Sequence, residues 1–441
     1  LKAGPLATGA PGNLAGWCEL VRAYGRKPLA AIFAPAIRLA RDGFPLTEFN
    51  ADSINSAGQE LKSHDALYPE WARTYTAGTG HVANASILCQ PDLARTLEAI
   101  VRDGPAHLYA GPLGTALVGH VRRLGGCLTP ADLAAMQPRW LEPVAAAYRG
   151  LLVHTLPPPC QGFQHLLTLR ILDGFDLAAM EHNGIDHLDT VLRAIRLAAG
   201  VRIANDNPSP ERLAQLLSDE TVAALRHRVG DGQPIDGPTE QWMEPPEPPP
   251  GTTARSQHTT SLSVADGEGN AVCITQSLGS KFGCGIVVPG TGVCLNNFLY
   301  WGETDPRGTN PMQGGGPLAL PLAPTISTRA GRLALVLGTP GSYGICQTQP
   351  QAMVQHVDFR LPLQEAIDYK RARLTDGRKV QMEARISAAT LTELRARGHD
   401  VAAPSAWTPA VGGMQAIAVD AQTGALTGAA DPRRDGYVVA I

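Results

Sequence analysis

Charge is scarce and nearly balanced in this 441-residue chain: Asp, Glu, Lys and Arg make up 17% of it, and the net charge is −3. That leaves no electrostatic footprint for a nucleic acid or an anionic membrane surface. Apolar residues reach 44%, yet no run approaches the ~20 residues of a membrane-spanning helix. Eight cysteines are present without one Cys-x-x-Cys pair, and no His stands at metal-ligand spacing from any of them. The sequence therefore gives no metal site, and the cysteines read as buried free thiols, with one or more disulfides as the lesser reading. No internal repeat is found. The chain opens at Leu1, not at Met, and nothing in it resembles a signal peptide. This reads as a truncated or processed piece and leaves the compartment open. What is plentiful is turn chemistry: 47 Gly and 36 Pro, spread throughout and so not low complexity. The length allows two or three structural units.

The periodicity changes along the chain. In the first half Ile32, Ala36 and Leu39 share a helical face, with Pro35 expected to open that helix at its first position. Thr129-Pro130-Ala131-Asp132 is an N-terminal helix signal, and Leu188, Val191, Leu192, Ile195 and Ala199 form an apolar stripe over 187–203. Leu151 to Leu156 reads as a strand stopped by Pro157-Pro158-Pro159. In the second half the period is two. Ser261–Ala265 and Ala271–Gln276 flank the turn Asp266-Gly267-Glu268-Gly269-Asn270, which predicts a hairpin. Gly285–Val288 and Leu333–Leu337 read as further buried strands, and a late helix from Ser387 stops at Gly398. Between the halves lies a Pro-rich acidic span, 230–258.

That span ends in chemistry. From Pro245 to Pro250 it runs through Gly251 and Gln257 to His258-Thr259-Thr260, and a strand begins at Ser261. A Thr hydroxyl is a weak nucleophile until a base sits beside it, and a free α-amine on the same residue supplies one. Cleavage between His258 and Thr259 would place both on Thr259. Position alone does not single it out, since Thr252-Thr253 is a second such pair; an ordinary linker Thr fits as well. Gly338-Thr339-Pro340-Gly341-Ser342 follows a buried strand with residues small enough to aim backbone N–H groups at a ligand, or is a plain turn. Asn296-Asn297 either pins a loop or simply turns it.

Taken together, these segments resemble the γ-glutamyltranspeptidase family over nearly the whole chain. The match runs from Ala7-Thr8-Gly9-Ala10-Pro11-Gly12 and Leu39-Ala40-Arg41-Asp42-Gly43-Phe44 through Gly125–Thr129, Tyr148-Arg149-Gly150 and Leu156–Pro159. It continues through Thr259-Thr260, Asp266, Gly269-Asn270, Pro289–Val293, Leu295-Asn296-Asn297 and Gly338-Thr339-Pro340-Gly341. The resemblance implies an α+β fold of four layers, αββα, the N-terminal-nucleophile hydrolase sandwich, here N-terminally truncated. It implies a helix-rich large-subunit part at 1–229, a linker at 230–258 ending in the autocleavage site, and a small catalytic subunit at 259–441. Both subunits would come from one precursor, and a homodimer is compatible with the family. No cofactor is implied. The family is often periplasmic or secreted, and a cytoplasmic place also fits.

In such enzymes the new N-terminal Thr attacks a side-chain amide, and water or an amine acceptor takes the acyl group. The resemblance gives that role to Thr259, a supporting hydroxyl to Ser277, and the oxyanion hole to the N–H groups of Gly341 and Ser342. Ser342 stands where a second Gly is usual. Other positions depart further. The Asp that binds a glutamyl ammonium is Trp301, within Phe298-Leu299-Tyr300-Trp301; the Ser-Ser pair for the α-carboxylate is Leu320-Pro321; an Asn beyond Ser277 is Gly279. The Arg that clamps the same carboxylate would lie before Leu1. Phe298, Tyr300, Trp301, Leu320 and Pro321 are thus candidate substrate contacts better suited to an apolar acyl group, because buried polar groups without partners are costly. For the aromatics, plain core packing is the competing reading. Cys160 stands where Ser is common, and His258 adjoins the scissile bond.

The leading reading is an autocleaved γ-glutamyltransferase-type amidohydrolase or acyltransferase acting on a small amide such as a γ-glutamyl compound. An acylase for a non-glutamyl, apolar acyl group is the alternative. An uncleaved, inactive binding or structural homologue is the alternative of another class.

Overall fold

The computed structural model describes residues 3–61, 68–239 and 259–441. His258 and the Pro-rich stretch from 240 onward lie outside the described residues. Packing divides the chain into two units. Unit 1 comprises Leu1–Trp140, Ser277–Thr304 and Met312–Leu318, and unit 2 comprises Leu141–Gln276, Asp305–Pro311 and Ala319–Ile441. Each therefore mixes residues from both sides of position 259.

Unit 1 is helical, with one small ladder of β1 (Phe44–Pro45) on β2 (Ile87–Leu88). Its helix Leu29–Asp42 buries Phe33 and Ala40, with Ile37 packed beside them, while Ile32 and Leu39 are exposed. The expected face is therefore the outer one. Pro35 lies inside the helix, not at its start. On that exposed side the missing proline N–H is the main local loss. Gly285–Val288 is buried as expected but is not a strand: Val287 makes one isolated bridge to Cys294. Its backbone turns instead, with Cys284 N–H donating to the Leu295 carbonyl, Leu295 N–H to the Ile286 carbonyl and Val288 N–H to the Val293 carbonyl. Phe282 locks this loop onto Trp71 and Tyr75, ring centroids 5.2 and 4.7 Å away.

Unit 2 is built on a six-stranded antiparallel sheet. Its strands are β3 (Val144–Tyr148), β4 (Leu151–Thr155), β7 (Thr325–Arg329), β8 (Arg332–Gly338), β12 (Gln415–Val419) and β13 (Leu426–Ala430), in the order β13-β12-β8-β7-β4-β3. The hairpin of β5 (Thr260–Ala265) and β6 (Ala271–Gln276) forms as the alternation predicts. A small sheet of β9 (Ala372–Leu374), β10 (Lys379–Met382) and β11 (Asp400–Ala402) completes the strands, β10 pairing in parallel with β11.

Strand alternation decides what covers each face. Leu151, Val153, Leu335, Leu337 and Ala416 point into one apolar core with helices Phe163–Leu172 and Ile185–Ile203. Each fully buried leucine there contributes roughly 2 kcal/mol by area removed from water. The opposite face meets the hairpin, which packs on β8 and β12. Unit 2 thus runs helices, sheet, hairpin in that order. Thr129 caps Pro130–Ala134 in a full capping box with Asp132, and Ser387 caps Ala388–Ala396, both as the sequence indicates.

Charge is also buried in unit 2. Arg371 and Arg433 share Asp431, and Arg433 holds Glu383 at 2.7 Å. Burial pushes the Glu383 carboxyl up, but its bonds from Arg433 and Arg385 outweigh that and hold it below the usual range. His165 and His187 are buried within the two packed helices, and burial lowers both to about 3. An unfolded His titrates near 6.5, so between those values only the unfolded chain takes up the proton. Stability should therefore be full above pH 6.5 and fall as pH drops toward 3, by about 1.4 kcal/mol per pH unit for each histidine. Denaturant unfolding from pH 7 to 4.5 checks this: His165→Leu should remove about half of the two histidines' contribution to that slope.

Candidate active site

In unit 2, Thr259 stands half-buried immediately before β5. The ladder ends at Thr260 with Gln276, so the chain leaves it at Thr259 on one strand and at Ser277 on the other. One residue into β5, buried Ser261 is driven against β8. A Cβ built on Gly338 would lie 2.2 Å from Ser261 Oγ and 3.1 Å from Cys273 Sγ. Only glycine lets the two sheets approach this closely. Cys273 Sγ donates to the Leu337 carbonyl at 3.4 Å, and Ser263 Oγ to the Gln415 carbonyl at 3.2 Å. The strand carrying Thr259 is thereby fixed on the strand that feeds the Gly338–Ser342 loop.

That loop is shaped from behind. Thr339 is buried; its Oγ1 donates to the Pro340 carbonyl at 2.9 Å and accepts from Gly413 N–H at 3.2 Å. The Gly413 segment is in turn held by Arg371, whose Nε donates to the Val411 carbonyl, and by Asp431, which accepts from Met414 N–H. Gly341 has φ 141° and Ser342 φ 56°. A 3-10 turn over Ser342–Gly344 then runs directly into helix Ile345–Met353. Among the described residues neither the Gly341 nor the Ser342 N–H has an acceptor, although both residues are buried. Two adjacent unspent N–H groups at a helix start can stabilise a developing oxyanion.

Leu320 and Pro321 belong to the same unit. Leu320 N–H donates to the Pro159 carbonyl at 3.1 Å, and its own carbonyl accepts from Gln161 N–H at 2.8 Å. Cys346, in the helix after Ser342, donates to the Pro321 and Gln161 carbonyls. Burial pushes the Cys160 thiol up to about 11 and that of Cys346 to about 12, so neither is a thiolate at neutral pH.

In unit 1, Ser277 Oγ accepts from Gly279 N–H at 2.9 Å. Asn297, fully buried, receives Ser280 N–H at 2.9 Å and donates to Ser280 Oγ at 2.8 Å. Asn296 exchanges bonds of 3.0 and 2.8 Å with the Gly9 backbone. The Asn pair therefore pins loops. Phe298, Tyr300 and Trp301 lie in a 3-10 turn, Phe298–Trp301, and all are half-buried rather than core. Gly279 has φ 94°, and a Cβ there would stand 2.2 Å from Asn297 Oδ1 and 3.2 Å from Trp301 Nε1. A side chain at 279 would thus collide first with buried Asn297 and then press on the Trp301 indole.

Each unit thus gathers its own set: Thr259, Gly341, Ser342, Leu320 and Pro321 in unit 2, Ser277, Gly279 and the three aromatics in unit 1. Sequence reasoning took Thr339 only as part of a small-residue loop and missed Gly413 and the buried Arg202, which lies against Tyr343. An arginine on a helix of apolar periodicity reads as a solvated face. Among the described residues no group of three or more His, Cys, Asp or Glu could hold a metal, and no helix is long and apolar enough to cross a membrane.

A Thr heading a strand that is clamped on the strand feeding a loop with two acceptor-free N–H groups, on a sheet covered by helices, fits an N-terminal-nucleophile hydrolase. Residues 1–441 match the family described as gamma-glutamyltranspeptidase, and the chain belongs to that family. It is 33% identical to the acylase ACY 1 proenzyme of Pseudomonas sp. (strain SE83), over 99% of this chain and 76% of that protein. It is 32% identical to the glutathione hydrolase proenzyme of Escherichia coli (strain K12), over 97% and 74%. The crystal structure of cephalosporin acylase from Bacillus halodurans superposes with a TM-score of 0.89 at 30% identity, covering all of this chain and 79% of that one. The chain is accordingly an α+β enzyme of the N-terminal-nucleophile class, an amidohydrolase or acyltransferase.

The close approach at residue 338 gives a direct test. Gly338→Ala should destabilise the protein by about 1–3 kcal/mol, as overpacking does, and Ser261→Ala in the same chain should recover most of the loss. Urea unfolding of the two variants decides it.

Proposed function

We propose that the chain matures by cleavage between His258 and Thr259 and then acts as an N-terminal-Thr amide acylase. The observation that carries this is the clamp of Ser261 on Gly338, which ties the Thr259 strand to the loop bearing the two acceptor-free N–H groups. Thr259 Oγ attacks the amide carbonyl while its own α-amine takes the hydroxyl proton. The N–H groups of Gly341 and Ser342 hold the oxyanion, the amine leaves with the proton, and water or a second amine releases the acyl group. Ser277 carries over as the supporting hydroxyl. Large and small subunits then arise from one precursor, in keeping with relatives named as proenzymes.

The acyl preference follows from what stands at the head-group positions. Trp301, Leu320 and Pro321 offer no ion pair to a glutamyl ammonium or carboxylate, and Phe298 and Tyr300 add apolar surface. A charged head group placed there would lose water without compensation. An apolar acyl amide is the better-matched substrate class. The similarity to the acylase proenzyme and the cephalosporin acylase supports the reading; the similarity to the glutathione hydrolase favours the rival, γ-glutamyl transfer.

Intact-mass analysis should find a second N-terminus at Thr259 that is absent in Thr259→Ala, whose turnover should fall at least about 10⁴-fold. An uncut wild-type chain would remove the α-amine base and leave the binding-protein reading. With mature enzyme, kcat/KM for an apolar acyl anilide should exceed that for a γ-glutamyl anilide. Trp301→Asp should shift the ratio toward the glutamyl substrate by tenfold or more; efficient wild-type turnover of the glutamyl anilide would refute the preference.

A further inference from the structure

Helix Ile185–Ile203 buries three arginines beneath its apolar stripe: Arg193, Arg196 and Arg202. A guanidinium out of water is costly unless its donors are matched. Arg193 meets that demand with the carbonyls of Val229, Gln233 and Arg228, and Arg196 with those of Thr375, Gly377 and Lys379. Arg193 adds an ion pair with Asp231 at 2.9 Å, and otherwise both tie down neighbouring backbone.

Arg202, fully buried, does something else. Its Nε donates to Gln164 Oε1 at 2.7 Å, Nη1 to Gln161 Oε1 at 3.1 Å and Nη2 to the Thr239 carbonyl at 3.0 Å. Gln161 gives its Nε2 to Asp206 Oδ1 at 2.8 Å, which fixes its oxygen toward Arg202. The guanidinium carbon lies over the Tyr343 ring, 4.5 Å from its centre. Tyr343 is the middle residue of the 3-10 turn that begins at Ser342, and the Gln161 backbone holds Leu320. One planar cation therefore touches the supports of both the Gly341–Ser342 loop and the Leu320–Pro321 segment.

We infer that Arg202 is a positioning residue for the oxyanion donors, its guanidinium lying over Tyr343 while its N–H groups are held by Gln164, Gln161 and Thr239. This rests on the proposed role of Gly341 and Ser342. The loop needs such a brace: Ser342 is a non-glycine residue at φ 56°, a conformation that persists only where surroundings enforce it. Oxyanion donors tolerate errors of only about half an ångström. Lysine keeps the charge but cannot lie over the ring while bridging two glutamines.

The test compares Arg202→Lys, Tyr343→Leu, their double variant and the control Arg193→Lys in the full mature enzyme. The readout is kcat per mole of Thr259 N-terminus, with KM and melting temperature measured alongside. Arg202→Lys and Tyr343→Leu should each lower kcat by about 10–100-fold with KM within about threefold, as loss of donor placement does. The double variant should be little worse than either single one, and Arg193→Lys should lower the melting temperature while keeping kcat. If Arg202→Lys does not fold, Tyr343→Leu alone decides. A kcat within threefold of wild type in the folded variants, or an equal fall in the control, overturns the inference. A wild type without a Thr259 N-terminus would instead overturn the underlying reading, so the two failures are told apart.

Discussion

A single hydrogen atom of clearance sets the geometry of unit 2. Where β8 ends at Gly338, the hairpin strand β5 presses Ser261 into the space a side chain would fill. Sheets usually stack about 10 Å apart, with side chains interleaved between them. Here the missing Cβ lets backbone approach side chain directly, where the strand that follows Thr259 meets the strand that leads into the Gly338–Ser342 loop. The proposed chemistry rests on this contact.

Buried charge does the remaining alignment. Asp431 and Glu383 neutralise Arg371 and Arg433, and the same Asp431 accepts Met414 N–H, so the ion cluster reaches Thr339 through Gly413. Replacing such a cluster with apolar residues need not reduce stability, whereas removing one member leaves an uncompensated charge and costs several kcal/mol. A directional network holds a loop in a way that a greasy contact does not. Arg202 applies the same principle from the other side of the loop.

Much of this was legible in the sequence, for physical reasons that differ by element. The β5–β6 hairpin follows from alternation and turn residues, β8 from an unbroken apolar run, and Ser387 and Thr129 announce their helices by side-chain capping. Gly285–Val288 was not, because apolar content reports burial while backbone pairing depends on neighbours that sequence does not show. Helix Leu29–Asp42 shows the limit of period counting: two apolar stripes were available, and Phe33 with Ala40, not Ile32 with Leu39, faces inward. At the site, Thr259, Gly341 and Ser342 are visible as types in context. The crowding of Gly279 by Asn297 and Trp301, and the arginine beneath Tyr343, exist only in three dimensions.

The hairpin ladder also constrains how this protein can change in length. Six consecutive pairs, Thr260–Ala265 on Ala271–Gln276, stand between the closing turn and Thr259. The turn is sealed by Asp266, whose Oδ1 accepts the N–H groups of Glu268 and Asn270. Adding one residue within either strand would reverse the faces of everything beyond it. Leu262 or Thr260 would then meet Gly338 in place of Ser261. A change of length that keeps Ser261 on Gly338 therefore has room only at the tip of the turn, and the count from tip to Thr259 is a fixed ruler.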